Sequence, residues 1–334
     1  MLADTTVRAT GGHLLDLDHA ERDELGRLAA ALATRASRRI DDPEWLDAAR
    51  ELCGLLPLRL RTTLRRFTSH PGDEAMLLVR GLPVVPADVP PTPSAGGSVQ
   101  RTASVPATAL VLLGAFMGEP VAFQEEKSGA LVQDVVPVPG QERVQGNSGS
   151  VPLTMHVENA FHAHRPDFVG LLCLRNDHDN VAGLRIASIR NALPLLAPAH
   201  RSVLREPRFV TAAPQSFDRG GGAGTPHAVL AGAVEDPDVR VDFGNTTATD
   251  PAAAAALAEL ERAFEAVTRT LVLAPGDLAW VDNRLALHGR TSFAPRYDGG
   301  DRWLQRVFVH LDFRRSRAVR PHDGQVVTSA QVTR

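Results

Sequence analysis

The sequence predicts an α+β protein: a double-stranded β-helix (jelly-roll) core with supporting helices. Helical periodicity fills the chain up to about residue 70. From residue 75 onward, short apolar runs punctuated by Gly and Pro take over. One strongly patterned helix, about 250–270, is inserted among them. Helices first and many short strands after them suit a strand-built core on a helical support. The chain has 334 residues, within the range of single β-rich domains. We read 1–334 as one domain: 1–74 as helical support, 75–315 as the core and 316–334 as a C-terminal tail.

Residues 16–36 predict a helix, with Asp18 as cap, Glu21 as its capping-box partner, and Leu25, Leu28, Ala29 and Leu32 at helical spacing. A second helix runs from Asp42 to Leu55 with Pro43 in its first turn, and a third from Leu58 to Thr68. Ala75–Leu82 reads as a strand, 83–104 as a Pro/Gly/Ser surface loop, and Val105–Phe116 as a helix. Residues 121–137 begin and end as strand, 138–150 form a polar loop with Asn147, and 151–161 form a strand. Further strands are expected at Asp167–Arg175, Leu184–Ile189, Arg208–Thr211 and Val239–Phe243, with a short helix near Asn191–Leu196. Asp250 and Pro251 open the inserted helix, whose buried stripe is Leu257, Leu260, Phe264 and Val267. Leu271–Asp282 reads as strand, turn and strand, and Trp303–Phe313 as a long strand. The basic segment from Arg314 to Arg334 reads as a solvated end.

Hydrophobic residues make up 43% of the chain, enough for a sizeable core, and formal net charge is only −3. So weak a global field favours neither nucleic acid nor a membrane surface as partner. Cys53 and Cys173 match no metal or redox spacing, which suits a reducing cytoplasm. The start Met1-Leu2-Ala3-Asp4 lacks a basic region followed by an apolar run, so a cytoplasmic protein without a signal peptide is expected. Gly220-Gly221-Gly222 is not a phosphate loop, because no strand-to-helix pattern and no Lys-Ser/Thr accompany it. The segment 216–225 is expected to be a mobile loop covering a site, together with the loop bearing Asn147.

The chemistry centres on Thr154-Met155-His156-Val157-Glu158-Asn159-Ala160-Phe161-His162. On a strand, alternate residues share a face, so the His156 imidazole and Glu158 carboxylate project together. They are two of the three donors of a 2-His-1-carboxylate triad, which holds non-haem Fe(II) and leaves coordination positions open. A distant strand must supply the second histidine, and His288 is the candidate. An H-x-E pair alone is common on solvated strands, so its setting matters. Arg302 follows His288 by fourteen residues and Arg306 by eighteen, and arginine forks suit bidentate carboxylate contacts. Glu125 and Glu126 are either a charged hairpin edge or carry one carboxylate turned inward onto a cation. His162 and His164 form another alternate pair that could be ligands, but a core or solvated histidine is the better reading because Glu158 already supplies the carboxylate, and His310 reads as structural.

Taken together, His156-x-Glu158, His288, Arg302 and Arg306 resemble the clavaminate synthase-like family of Fe(II)/2-oxoglutarate-dependent oxygenases. The flanking Leu131-Val132-Gln133-Asp134 and Asp282-Asn283-Arg284-Leu285-Ala286-Leu287-His288-Gly289-Arg290 agree, and the likeness runs from about 75 to 315. Its amino-acid β-hydroxylases are the nearest likeness. The resemblance implies Fe(2+) at His156, Glu158 and His288, with 2-oxoglutarate and O2 as cosubstrates. It implies Arg302 on the distal carboxylate of 2-oxoglutarate and Arg306 on the α-carboxylate of a small amino-acid substrate. Glu126 and Asn147 would grip the α-amino group, and Asp242 would read the side-chain end. The implied reaction is C3 hydroxylation of a free L-amino acid, releasing succinate and CO2. A single carboxylate at Asp242 suits an amide donor, hence L-asparagine, with L-arginine, another basic amino acid or a tethered intermediate as alternatives. One departure is Leu184, which cannot donate the hydroxyl that the family often offers to 2-oxoglutarate there. A jelly-roll binding protein without metal is the non-enzymatic alternative, and the intact donor set argues against it.

Overall fold

The computed structural model describes residues 13–35, 37–214, 217 and 224–328. In chain order, β1 (His13–Asp16) precedes three helices, α1 (His19–Ala33), α2 (Pro43–Leu52) and α3 (Leu58–Ser69). Next come β2 (Met76–Arg80), α4 (Val105–Met117), β3 (Glu119–Phe123) and β4 (Gln133–Val135). β5 (Leu153–His156), β6 (Phe168–Arg175) and β7 (Gly183–Ser188) lead to the short helices α5 (Ile189–Ala192) and α6 (Pro198–Leu204). β8 (Phe209–Thr211), β9 (Leu230–Gly232), β10 (Pro237–Val239) and β11 (Thr246–Ala248) precede α7 (Pro251–Val267). β12 (Arg269–Val272), β13 (Leu278–Asp282), β14 (Ala286–Arg290), β15 (Trp303–His310) and β16 (Val326–Val327) complete the order.

Helix ends follow from local chemistry. Asp18 and Glu21 form the expected capping box at the start of α1. Asp250 accepts from the N–H groups of Ala252 and Ala253 at the start of α7, with Pro251 in its first turn. Such caps satisfy donors that the helix itself cannot, and each is worth about 1 kcal/mol.

The strands form a mixed major sheet, β1-β2-β13-β6-β15-β3-β16 with β4 also on β15, and a minor antiparallel sheet, β12-β7-β14-β5. Leu25, Trp45, Leu60 and Phe67 of the first helices pack with Phe168, Trp280 and Val307 of the major sheet. Leu260 and Phe264 of α7 pack with Ile186 and Ala286 of the minor sheet. Leu184 of the minor sheet joins Leu171, Ala279 and Phe308 of the major sheet in a third apolar cluster, so the two sheets share a core layer. This is an α+β architecture with mixed sheets and helices. No described helix is long and apolar enough to cross a membrane.

Several boundaries differ from expectation. The strand carrying His156 stops at that residue and does not run to 161. β1 falls in a stretch to which the sequence assigns no strand, pairing in parallel with β2; four residues carry too little periodicity to be read. The basic C-terminal segment is not a solvated end over its described part. β16 pairs in parallel with β3, and Val319 and Val327 are buried. Arg320 lies over the Phe313 ring at 3.4 Å and donates to the carbonyls of Asp323 and Gly324. A basic residue of this kind covers apolar surface with its stem and plane, which composition alone does not reveal. Of the glycine-rich segment, residues 216 and 218–223 lie outside the described residues, while Phe217 is buried against Phe161 and Phe123.

Gly170 on β6 sits directly opposite Trp280 on β13, and a Cβ there would lie 2.7 Å from the indole ring. Gly170→Ala is therefore expected to lower stability by about 1–3 kcal/mol through overpacking. Urea unfolding checks this: the midpoint should fall with the slope unchanged.

Candidate active site

β5 and β14 are antiparallel neighbours in the minor sheet, with His156 directly opposite His288. Their rings lie 4.5 Å apart between centroids. Glu158 sits beyond the end of β5, where the chain turns into Asn159 at φ 53°. The buried Asn283, in the β13–β14 turn, fixes it there. Its side-chain oxygen accepts the Glu158 N–H at 2.7 Å, and its NH2 donates to the carbonyls of Glu158 at 3.1 Å and Pro166 at 2.9 Å. The ligand atoms of His156, Glu158 and His288 consequently fall within 4.8 Å of one another.

Protonation states suit a cation. His156 Nδ1 lies 2.8 Å from the Thr154 carbonyl, which can only accept, so Nδ1 carries a proton and Nε2 is the ring nitrogen left for a metal. Burial, and then the neighbouring His156, push His288 below its ordinary value, which keeps it neutral. Burial pulls the Glu158 carboxyl up, but Arg306, His288 and His156 outweigh it and hold the group well below the usual carboxylate range. Two imidazoles and one carboxylate are the donor set of a non-haem Fe(II) site.

Arg306 on β15 gathers the second group of residues. It donates to Glu158 at 2.9 Å and to Asn147 at 3.4 Å, and it pairs with Glu126. Gln133 stands opposite it across β4 and accepts from its Nε at 3.2 Å. Of the two adjacent acids, Glu126 is the one on Arg306. Burial raises its carboxyl although Arg306 opposes the shift. Gln133, Asn283 and Arg290 have no role legible in the sequence. All three lie in the flanking motifs, but what they touch depends on strand register, which a single sequence does not state.

Arg302 and Arg290 are both buried, and both lie over Phe293, at 5.9 Å and 5.2 Å from the ring centroid. Each has a buried Nε without a hydrogen-bond partner. Burial, then the charge of Arg302, push Arg290 down to about 9. Leu184 is buried opposite Arg290 across β7, so the departure read in the sequence leaves an apolar contact there. Asp242 forms an isolated antiparallel bridge with His156, which puts its side chain on the same face. Its carboxylate accepts from the Gly244 N–H and the Asn245 NH2, both at 2.8 Å. His162 stands apart from the triad among Phe123, Phe161 and His164, pushed down to about 4 chiefly by burial. His310 Nε2 is spent on the His164 carbonyl at 3.0 Å.

Residues 98–308 match the family described as taurine catabolism dioxygenase TauD, TfdA family. The chain belongs to the TauD/TfdA family. It is 51% identical over 314 residues to the L-asparagine oxygenase of Streptomyces coelicolor, covering 94% of both chains. Clavaminate synthase 2 of Streptomyces clavuligerus is 36% identical over 87% of this chain and 90% of its own. A crystal structure of asparagine oxygenase in complex with Fe(II), 2S,3S-3-hydroxyasparagine and succinate superposes with a TM-score of 0.93 at 51% identity. That match covers 95% of this chain and 100% of the crystallised one. The resemblance carried by the motif spacing is borne out for this TauD/TfdA member.

Asn283→Ala removes the clamp on Glu158 and leaves its buried N–H without a partner. Affinity for Fe(II), titrated anaerobically, is expected to fall about 10–100-fold, as for other supporting contacts around metal ligands. His164→Ala should leave it unchanged.

Proposed function

We propose that this protein is an Fe(II)/2-oxoglutarate-dependent oxygenase that hydroxylates free L-asparagine at C3. The products are 3-hydroxy-L-asparagine, succinate and CO2. What carries the reading is a His/Glu/His donor set beside the buried Arg306 cluster, in a chain 51% identical to an L-asparagine oxygenase across nearly its whole length. On this reading 1–334 is one oxygenase domain whose two sheets are the halves of a double-stranded β-helix.

His156, Glu158 and His288 would hold the metal. With 2-oxoglutarate and O2, Fe(II) bound there supplies the oxidative decarboxylation that delivers one oxygen atom to the substrate carbon. The protein's own work is positioning and exclusion of water. Arg302, buried and forming no ion pair among the described residues, presents a fork to the distal carboxylate of 2-oxoglutarate. Arg306 takes the α-carboxylate of the amino acid by exchanging its bond to Glu158, while Glu126 and Gln133 keep the guanidinium in place. Glu126 and Asn147 accept from the α-ammonium group. Asp242, half-buried beside His156, retains lone pairs beyond its two turn contacts for the substrate amide. Fixing both ends of the amino acid decides which C–H faces the metal.

A panel of the free L-amino acids, scored for the mass gain of one oxygen and for succinate, tests the proposal. Asparagine should be modified with stoichiometric succinate. Preferential modification of arginine or lysine would overturn the substrate, and no succinate with any amino acid would overturn the activity.

Asp242 offers a second check. L-Aspartate would set a carboxylate against it at close range, a repulsion of several kcal/mol in a poorly solvated site. Asp242→Asn removes that charge and adds an NH2 donor, so the ratio of asparagine to aspartate turnover should fall in a competition at equal concentrations. A ratio that does not move would show that Asp242 does not read the side chain.

A further inference from the structure

We propose that Arg290 is a second cation for the distal carboxylate of the 2-oxo acid, acting with Arg302 along the Phe293 ring. The inference rests on the reading of Arg302 as the 2-oxoglutarate clamp and extends that site by one residue.

Arg290 lies two residues after His288 on β14, and its register with β7 is unbroken, His288 opposite Ile186 and Arg290 opposite Leu184. Its side chain therefore leaves the minor sheet on the same face as the metal-ligand candidate His288. It is only 3% exposed, and Arg302 only 5%. Both guanidiniums lie over one ring, Phe293, at 5.2 and 5.9 Å. Two like charges buried against one ring repel, and Arg302 does push Arg290 down; buried charges are ordinarily paired. Among the described residues neither arginine forms an ion pair with a carboxylate, and the Nε of each is buried without a partner. Arg290 makes one hydrogen bond, from Nη2 to the neutral Val151 carbonyl at 3.0 Å, and its neighbour across β7 is the apolar Leu184.

A salt bridge with the chain would have made Arg290 a structural staple. A bare, buried cation beside Arg302 instead requires an anion from outside. The distal carboxylate of a five-carbon 2-oxo diacid supplies it, and so does the corresponding end of succinate. Arg302 alone would neutralise that carboxylate. With Arg290 the local field is net positive, which favours acids with a charged tail over those whose tail is a methyl group.

The experiment measures binding of 2-oxoglutarate and of pyruvate, which lacks the distal carboxylate, to Zn(II)-loaded protein. In parallel, steady-state kinetics gives the Michaelis constant for each cosubstrate, the oxo acid and the amino acid. Arg290→Gln should weaken 2-oxoglutarate binding about tenfold or more and leave pyruvate unchanged, the size of a lost charge-assisted contact. Arg290→Lys keeps the charge and loses the fork, so it should weaken 2-oxoglutarate about threefold, again without touching pyruvate. The Michaelis constant for the oxo acid should rise in step, and that for the amino acid should not. If Arg290→Gln does not fold, the comparison of Arg290→Lys with the native chain decides alone. Equal weakening of both acids, or no change in either, would overturn the proposal and return Arg290 to a packing role. Arg302→Gln separates the two readings. If it weakens 2-oxoglutarate while Arg290→Gln does not, only the second cation is lost; if neither matters, the clamp assignment falls with it.

Discussion

The structure turns on one buried ion pair, Glu158 with Arg306. Glu158 is buried, and a lone carboxylate there would be driven to take up a proton and lose its charge. Arg306, 2.9 Å away, is what keeps it charged. The pair also spans the two sheets, because Arg306 belongs to β15 of the major sheet and Glu158 follows β5 of the minor one. Removing Arg306 would strand the buried Glu158 carboxylate, a loss of about 3–5 kcal/mol. The Arg306 side chain thus ties sheet packing and the charge of Glu158 to one position.

The remaining architecture holds that pair still. β15 lies between β6 and β3, and three of the first helices pack over the major sheet through α4 and its neighbours. The minor sheet sets the two histidines face to face by register, His156 opposite His288. Asn283 does the rest by fastening the backbone of Glu158 from the β13–β14 turn. Ligand placement therefore depends on regular strands and one buried amide, elements that open less readily than surface loops.

Much of this was legible in the sequence. The H-x-E pair, the distant His288 and Arg306 are residues that the fold does bring together, while Arg302 lies with Arg290 over Phe293. Caps such as Asp18 and Asp250 act locally and could be read locally. The orientation of Glu158 has a different cause from the one that its spacing suggests. Strand alternation was expected to aim it, yet β5 has ended by then and Asn283 holds it. What Gln133 and Arg290 touch is not legible in the sequence because it follows from which strands pair, and these pairings join residues more than a hundred positions apart. The parallel pairings of β1 with β2 and of β16 with β3 are likewise set by tertiary pairing, and the strands are too short to carry a periodicity. Arg320 shows the limit of composition: a basic residue in a polar tail is packed onto Phe313.

The central claim is that His156, Glu158 and His288 together make one Fe(II) site. Anaerobic calorimetric titration of Fe(II) into the native chain and into His156→Ala tests it most directly. The account predicts one Fe(II) per native chain and loss of that binding in the variant. Equal affinity and stoichiometry in both proteins would contradict it.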